Sequence, residues 1–153
     1  MPCPMVIDSG AAETVLPSSW FKTHKTIETD ASRAGVYYTT ANGIKVYNEG
    51  EKTLTMCHFE GSQKRDMTFQ VADVNKALGS ANKIVRNGNR IVMDLDDEGD
   101  DYSYIESKSS GERLWLRERE GVYVLDMLIA PAPPAQDGQT SAPPDPGFTG
   151  RGR

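Results

Sequence analysis

Over much of the first 130 positions the chain falls into short strand-like runs. Some are apolar throughout and some, such as Ile44–Tyr47 and Thr53–Phe59, alternate apolar and polar residues with the period of two that puts successive side chains on opposite faces of a strand. Short runs of this kind occupy Pro4–Ile7, Gly35–Thr40, Ile44–Tyr47, Thr53–Phe59 and Met67–Val71. They return at Arg90–Met93, Tyr102–Ile105, Arg113–Leu116 and Val122–Leu125. Turn-forming residues separate them, among them Asp8-Ser9-Gly10, Ala41-Asn42-Gly43 and Glu60-Gly61-Ser62. Asn42-Gly43 between two strand-like runs predicts a hairpin with a type I′ turn, in which both central residues take positive φ. Ser80–Asn87 breaks the alternation and predicts one short helix, closed by Gly88 where a left-handed C-cap belongs. Short strands spaced by roughly 8–12 residues, with a single helix, predict an all-β fold of the small closed-barrel kind.

The pattern stops near Ala130. Residues 131–153 carry six of the nine prolines, and Phe148 is their one large apolar side chain. Such a segment buries too little apolar area to offset its ordering entropy, so a disordered tail is expected after a domain spanning 1–130. The chain of 153 residues has a formal charge of −5. Nucleic acid and anionic membranes both call for a basic surface, so neither is expected as a partner. No apolar run approaches the ~20 residues of a membrane-spanning helix, and no signal-type start is present. The two cysteines, Cys3 and Cys57, offer no disulfide framework and suit a reducing, cytoplasmic setting.

The segment richest in chemistry is Met5-Val6-Ile7-Asp8-Ser9-Gly10-Ala11-Ala12-Glu13-Thr14-Val15-Leu16. An apolar strand delivers a carboxylate into a tight turn, where Gly10 permits close backbone approach and neighbouring groups can set the acid's pKa. Asp, Ser and Gly are also the ordinary residues of a turn, so the triplet alone decides nothing. In context, the stretch resembles the active-site segment of retropepsin-like aspartic proteases. The hairpin around Asn42-Gly43 resembles the flap of that family, and Ala77-Leu78-Gly79 its apolar-apolar-Gly motif ahead of a helix. Residues 5–126 are most similar to the protease region of copia-type retrotransposon polyproteins. That region orders an Asp-Ser-Gly-Ala, an Ala-Asn-Gly turn, an Asn-x-Leu-x-Ser segment, a Gly-Asn turn, an apolar-apolar-x-Asp strand end and a Val-Tyr-x-Leu-Asp. Here they stand at Asp8–Ala11, Ala41–Gly43, Asn75–Ser80, Gly88-Asn89, Ile91–Asp94 and Val122–Asp126.

The resemblance implies an aspartic endopeptidase that works as a homodimer on extended peptide or polyprotein segments, without cofactor or metal. One aspartate per chain requires two Asp8 carboxylates to meet and share a proton. Ser9 is implied to hold the carboxylate plane and Gly10 to admit the substrate backbone. Ala11, Ala41, Asn42, Gly43, Leu78 and Gly79 are implied to bind the peptide. Seven residues precede Asp8, where the resembled proteases place an interface strand, and Pro2 and Pro4 are expected to limit strand pairing there. Either an upstream segment or C-terminal strands such as Gly121–Ile129 would then form the interface. Ser80 follows Gly79 where some retroviral members carry Arg. A catalytically inactive remnant that binds peptides is the alternative, and a polyprotein fragment that does not fold alone is a third reading.

Other signals point to ordinary structure. Numbered as a calcium loop from Asp94, the acidic run Asp94–Asp101 puts Ile105 at position twelve, where a carboxylate belongs, so a solvated hairpin turn is expected. His24, His58, Cys3 and Cys57 lack zinc-ligand spacing. Cys57 and His58 adjoin in one strand and face opposite ways, read here as a buried thiol and an exposed imidazole. Ser9 lacks the elbow of a serine hydrolase. Trp20, Phe21 and Trp115 read as core or interface anchors. The basic residues at 83–90 and 108–119 read as solvated faces, the latter interleaved with acids.

Overall fold

The alternation of burial along the first strand marks where the core lies. In β1 (Pro2–Asp8), Cys3, Met5 and Ile7 are buried while Pro2 and Pro4 are exposed. The computed structural model describes residues 1–134, and residues 135–153, which hold most of the expected tail, lie outside the described residues. Next come β2 (Val15–Pro17), the one-turn helix α1 (Asp30–Arg33) and the hairpin of β3 (Tyr37–Thr39) with β4 (Lys45–Tyr47). The long strands β5 (Gly50–His58) and β6 (Arg65–Ala72) lead to β7 (Ala77–Ser80) and the helix α2 (Ala81–Arg86). The remainder comprises β8 (Asn89–Val92), β9 (Tyr104–Ser107), β10 (Arg113–Trp115), β11 (Arg117–Arg119) and β12 (Val122–Ile129).

Six strands close into a barrel in the order β1-β7-β2-β6-β5-β12, with β12 returning to pair with β1. β1 runs parallel to β7 and antiparallel to β12, with Met5 opposite both Ala77 and Leu125. β11 extends the sheet beside β12, β8–β9–β10 form a separate three-stranded sheet, and β3–β4 stand apart as a two-stranded hairpin. The inward faces of the barrel strands meet in one cluster, with Phe69, Leu16, Leu54, Met5 and Met56 at most 1% exposed. Ile84 of α2 and Ile105 and Leu114 of the small sheet join the same cluster. An all-β closed barrel is therefore the architecture. Among the described residues there are two short helices where one was expected, because Thr29 and Ser32 form a capping box that Asp30–Arg33 follows. No helix in the described chain is long and apolar enough to cross a membrane.

Three sequence expectations change. Pro2 and Pro4 do not prevent pairing. The Met1 amino group donates to Ile129 O and Ile129 N–H to Met1 O, so antiparallel alternation makes Cys3 and Met5 the residues that bond β12. The proline nitrogens then face the other edge, which β7 joins only from Met5 onward. The Asn42-Gly43 hairpin forms, but Thr40 O accepts from Gly43 N–H and only Gly43 has positive φ (82°), giving a three-residue loop. The type I′ signature lies instead at Glu120-Gly121, where φ is 52° and 83° between β11 and β12.

The third change is the phase of β5. Leu54, Met56 and His58 point inward, so His58 is 2% exposed and Cys57 lies half-buried on the outer face. Glu60 N–H donates to His58 Nδ1 at 3.2 Å, so Nε2 carries the proton and donates to Trp115 O at 2.9 Å. On the same inward row Lys52 donates from Nζ to Trp20 O and Phe21 O, each at 3.0 Å, holding Phe21 at its left-handed φ of 52°. Burial lowers the Lys52 pKa, and the two carbonyls satisfy the ammonium.

Two outcomes test this packing. Gly50 has φ 125°, and a Cβ there would stand 2.3 Å from Ile27 O, a backbone atom that cannot turn aside. Gly50→Ala should cost more than about 1 kcal/mol, read as a lower urea midpoint. Burial also pushes the Cys3 thiol up to about 12. At pH 8 a thiol reagent should label one cysteine per folded chain, Cys57, and both after unfolding. Equal rates at the two sites in native protein would contradict the barrel.

Candidate active site

β1 ends at Asp8 because the chain turns there: Ala11 N–H reaches Asp8 O at 3.4 Å and Gly10 N–H donates to Asp8 Oδ1 at 2.7 Å. One carboxylate oxygen is thus held by its own turn, while no described residue bonds Oδ2. A Cβ at Gly10 would stand 3.2 Å from Oδ1, so only a glycine leaves the turn this tight without a neighbour yielding. The Ser9 hydroxyl forms no hydrogen bond among the described residues. In the single chain it is the Gly10 amide that holds the carboxylate.

The turn is anchored from below. Parallel pairing places Asp8 beside Ser80, the fully buried N-cap of α2. Ser80 Oγ donates to Ala11 O at 2.7 Å and accepts from Lys83 N–H at 3.2 Å, while Ser80 N–H donates to Thr14 Oγ1 at 3.1 Å. Gln70 N–H in turn donates to Thr14 O, which ties the same loop to β6. Gly79 lies buried beneath β1, where a Cβ would meet Ile7 Cδ1 and Met5 Sδ at 3.2 Å. Its part is to let β7 approach β1, and it does not line the cleft.

Above the turn stands the β3–β4 hairpin. Thr40 Oγ1 accepts from Ile44 N–H and shares its one proton between Ile44 O and Asn42 Oδ1, so one hydroxyl shapes the tip. The base is fastened by Asn48, which is buried. Asn48 Nδ2 donates to Tyr38 Oη and to Gln70 Oε1, each at 2.8 Å, and Oδ1 accepts from Gly50 N–H at 2.8 Å. Burial raises the Tyr38 pKa, an effect the Asn48 bond partly opposes.

Between turn and hairpin lies a cleft of about 870 Å³. Of the sequence-predicted residues, Asp8, Gly10, Ala41, Asn42 and Leu78 line it together. Ser9, Ala11, Gly43 and Gly79 are not on its wall. Sequence reasoning missed the apolar side walls, Val6, Ile44, Val46, Val74 and Val122, and the polar loop residues Asp73, Asn75 and Lys76. The two-residue alternation carried a signal for the walls, since Val6 and Leu78 are the positions of β1 and β7 that turn away from the core. Nothing local marked Asn48. The acidic Asp96, Glu98 and Asp100 are exposed in their hairpin turn, where Asp96 Oδ1 accepts from the Glu98 and Asp100 amides. In comparisons with protein-family models, curated proteins and solved structures, none matches the chain.

The Ser80 hydroxyl can be tested directly. Ser80→Ala leaves Ala11 O and Lys83 N–H without a partner in the interior, so it should cost about 1–3 kcal/mol. A urea midpoint within error of the parent would remove Ser80 from this role.

Proposed function

We propose that the chain is an aspartic endopeptidase that acts as a homodimer on extended peptide segments, with two copies of Asp8 activating one water. The observation that carries this reading is the position of Asp8: a carboxylate on a short turn, one oxygen held and the other open, on the floor of a cleft roofed by a hairpin. The ordered motifs that resemble retropepsin-like proteases, and the copia-type protease region in particular, support the same reading.

The chemistry follows from pairing. Two carboxylates brought close cannot both ionise, so the pair keeps one proton and titrates as a unit. The ionised member takes a proton from water as it attacks the peptide carbonyl, and the protonated member donates to the carbonyl oxygen. The Gly10 amide bond to Oδ1 fixes which carboxylate oxygen faces the reaction. The hairpin tip at Ala41-Asn42 offers backbone groups to an extended peptide and shields the reacting bond from bulk water.

Incubating the purified protein with a mixed peptide library at mildly acidic pH should yield cleavage, reduced by about 10²-fold or more in Asp8→Asn. Cleavage that survives the substitution would remove Asp8 from the reaction. Sedimentation at high micromolar concentration should show a dimer, and a strict monomer would leave the second carboxylate without a source. Peptides bound but left intact would favour the peptide-binding alternative.

A further inference from the structure

A second cavity, of about 350 Å³, opens beside the Asp8 cleft, and the two share Val6, Lys76 and Val122 as a common wall. The two cavities therefore adjoin across β1, one at the Asp8 turn and the other at the β11–β12 hairpin. The far end of the pair differs from the near end in charge. The near end holds Asp8 and Asp73, Lys76 stands on the wall common to both, and the far end adds Arg117, Arg119 and Glu120.

These charges are not equally available. Arg117 is engaged in a two-point pair with Asp126, Nε to Oδ2 at 2.9 Å and Nη2 to Oδ1 at 3.0 Å. Lys76 and Arg119 are exposed and have no hydrogen-bond or carboxylate partner among the described residues, and Glu120 is likewise free on its turn. Two free cations face one free carboxylate, in a chain whose net charge is −5. Pro4, Trp20 and Val124 supply an apolar floor beneath them, against which Lys and Arg stems can lie.

We infer that this far groove binds an acidic side chain of an extended peptide, held by Lys76 and Arg119, at a position removed from the bond facing Asp8. The inference rests on the reading of the Asp8 cleft as the seat of an extended peptide. It makes the favoured substrate a peptide that is apolar beside the reacting bond and acidic further along. The acid cannot sit near the reacting bond, where Asp73 and the Asp8 pair would repel it.

Binding can be measured without cleavage. Asp8→Asn protein is titrated with fluorescein-labelled ten-residue peptides in which one Glu is stepped through an otherwise neutral apolar sequence, against a matched series carrying Gln. At least one Glu register should bind roughly three- to tenfold tighter than its Gln counterpart, with the gap narrowing as salt rises. Lys76→Glu combined with Arg119→Glu should erase that gap and favour a Lys-stepped series; Arg119→Glu alone should halve it or more. Both positions are exposed, so the fold should be retained. Equal affinity of the Glu and Gln series, or no binding by either, overturns the inference. Exposing the same peptides to the unsubstituted protein separates the two readings. An acidic preference in binding without cleavage supports the groove and removes the protease; cleavage without acidic preference does the reverse.

Discussion

The parallel pairing of β1 with β7 is the constraint on which the rest of the molecule depends. It sets Asp8 level with Ser80, and Ser80 is both the end of a barrel strand and the cap of α2. A fully buried hydroxyl cannot be left unbonded, because each unmade bond costs about 1–3 kcal/mol. Its partners, Ala11 O and Lys83 N–H, thereby fix the loop after Asp8 and the start of the helix at once. Gly79 permits the close approach that makes this pairing possible, and the return of β12 to the other edge of β1 locks it from the far side. The carboxylate is thus placed by the barrel and not by the flexibility of a loop.

The roof is built on a different principle. The β3–β4 hairpin belongs to no larger sheet, and its tip is exposed. It is fastened at its base by Asn48, which spends all three of its side-chain hydrogen bonds on Tyr38, Gln70 and Gly50. The floor is thus part of the closed barrel, and the roof is fastened to it at one end. This division suits the proposed endopeptidase, in which the floor must hold a carboxylate steady while the roof responds to what enters.

Much of this was legible in the sequence wherever local pattern and tertiary demand coincide. The Asp8 turn, the capped helix that follows Ser80 and the 41–43 hairpin are all local features, and all stand where the pattern puts them. The failures arise where a neighbour decides. Whether Pro2 and Pro4 break a strand depends on which edge their nitrogens face, and only the register with Leu128 and Asp126 sets that. Cys57 and His58 were separable by face but not by sign, because a buried imidazole needs two partners, and the Glu60 amide and Trp115 carbonyl arrive by tertiary folding. The turn at Asn42 follows the Thr40 hydroxyl, which stabilises a three-residue loop, while Glu120 accepts left-handed φ without being Asn or Gly. β2, β7 and β11, strands of three or four residues, escaped notice because so short a segment has no period to read.

The charge pattern links floor and groove. An acidic chain repels acidic peptides at long range, so a site that takes them needs local cations that outweigh the field within a Debye length, about 8–10 Å in ordinary buffers. Arg117 cannot serve, since Asp126 already neutralises it. Lys76 can, because the β6–β7 loop that carries it also carries Asp73 and Val74 into the cleft. One loop therefore presents a carboxylate to the Asp8 cleft and an ammonium to the wall that the cleft shares with the second cavity. On the proposed reading, a peptide entering with its acid first would be turned so that its apolar portion lies under the hairpin and its acid lies beyond Val122. The same few residues that wall the cleft would then also determine which bond of the peptide comes to rest on Asp8.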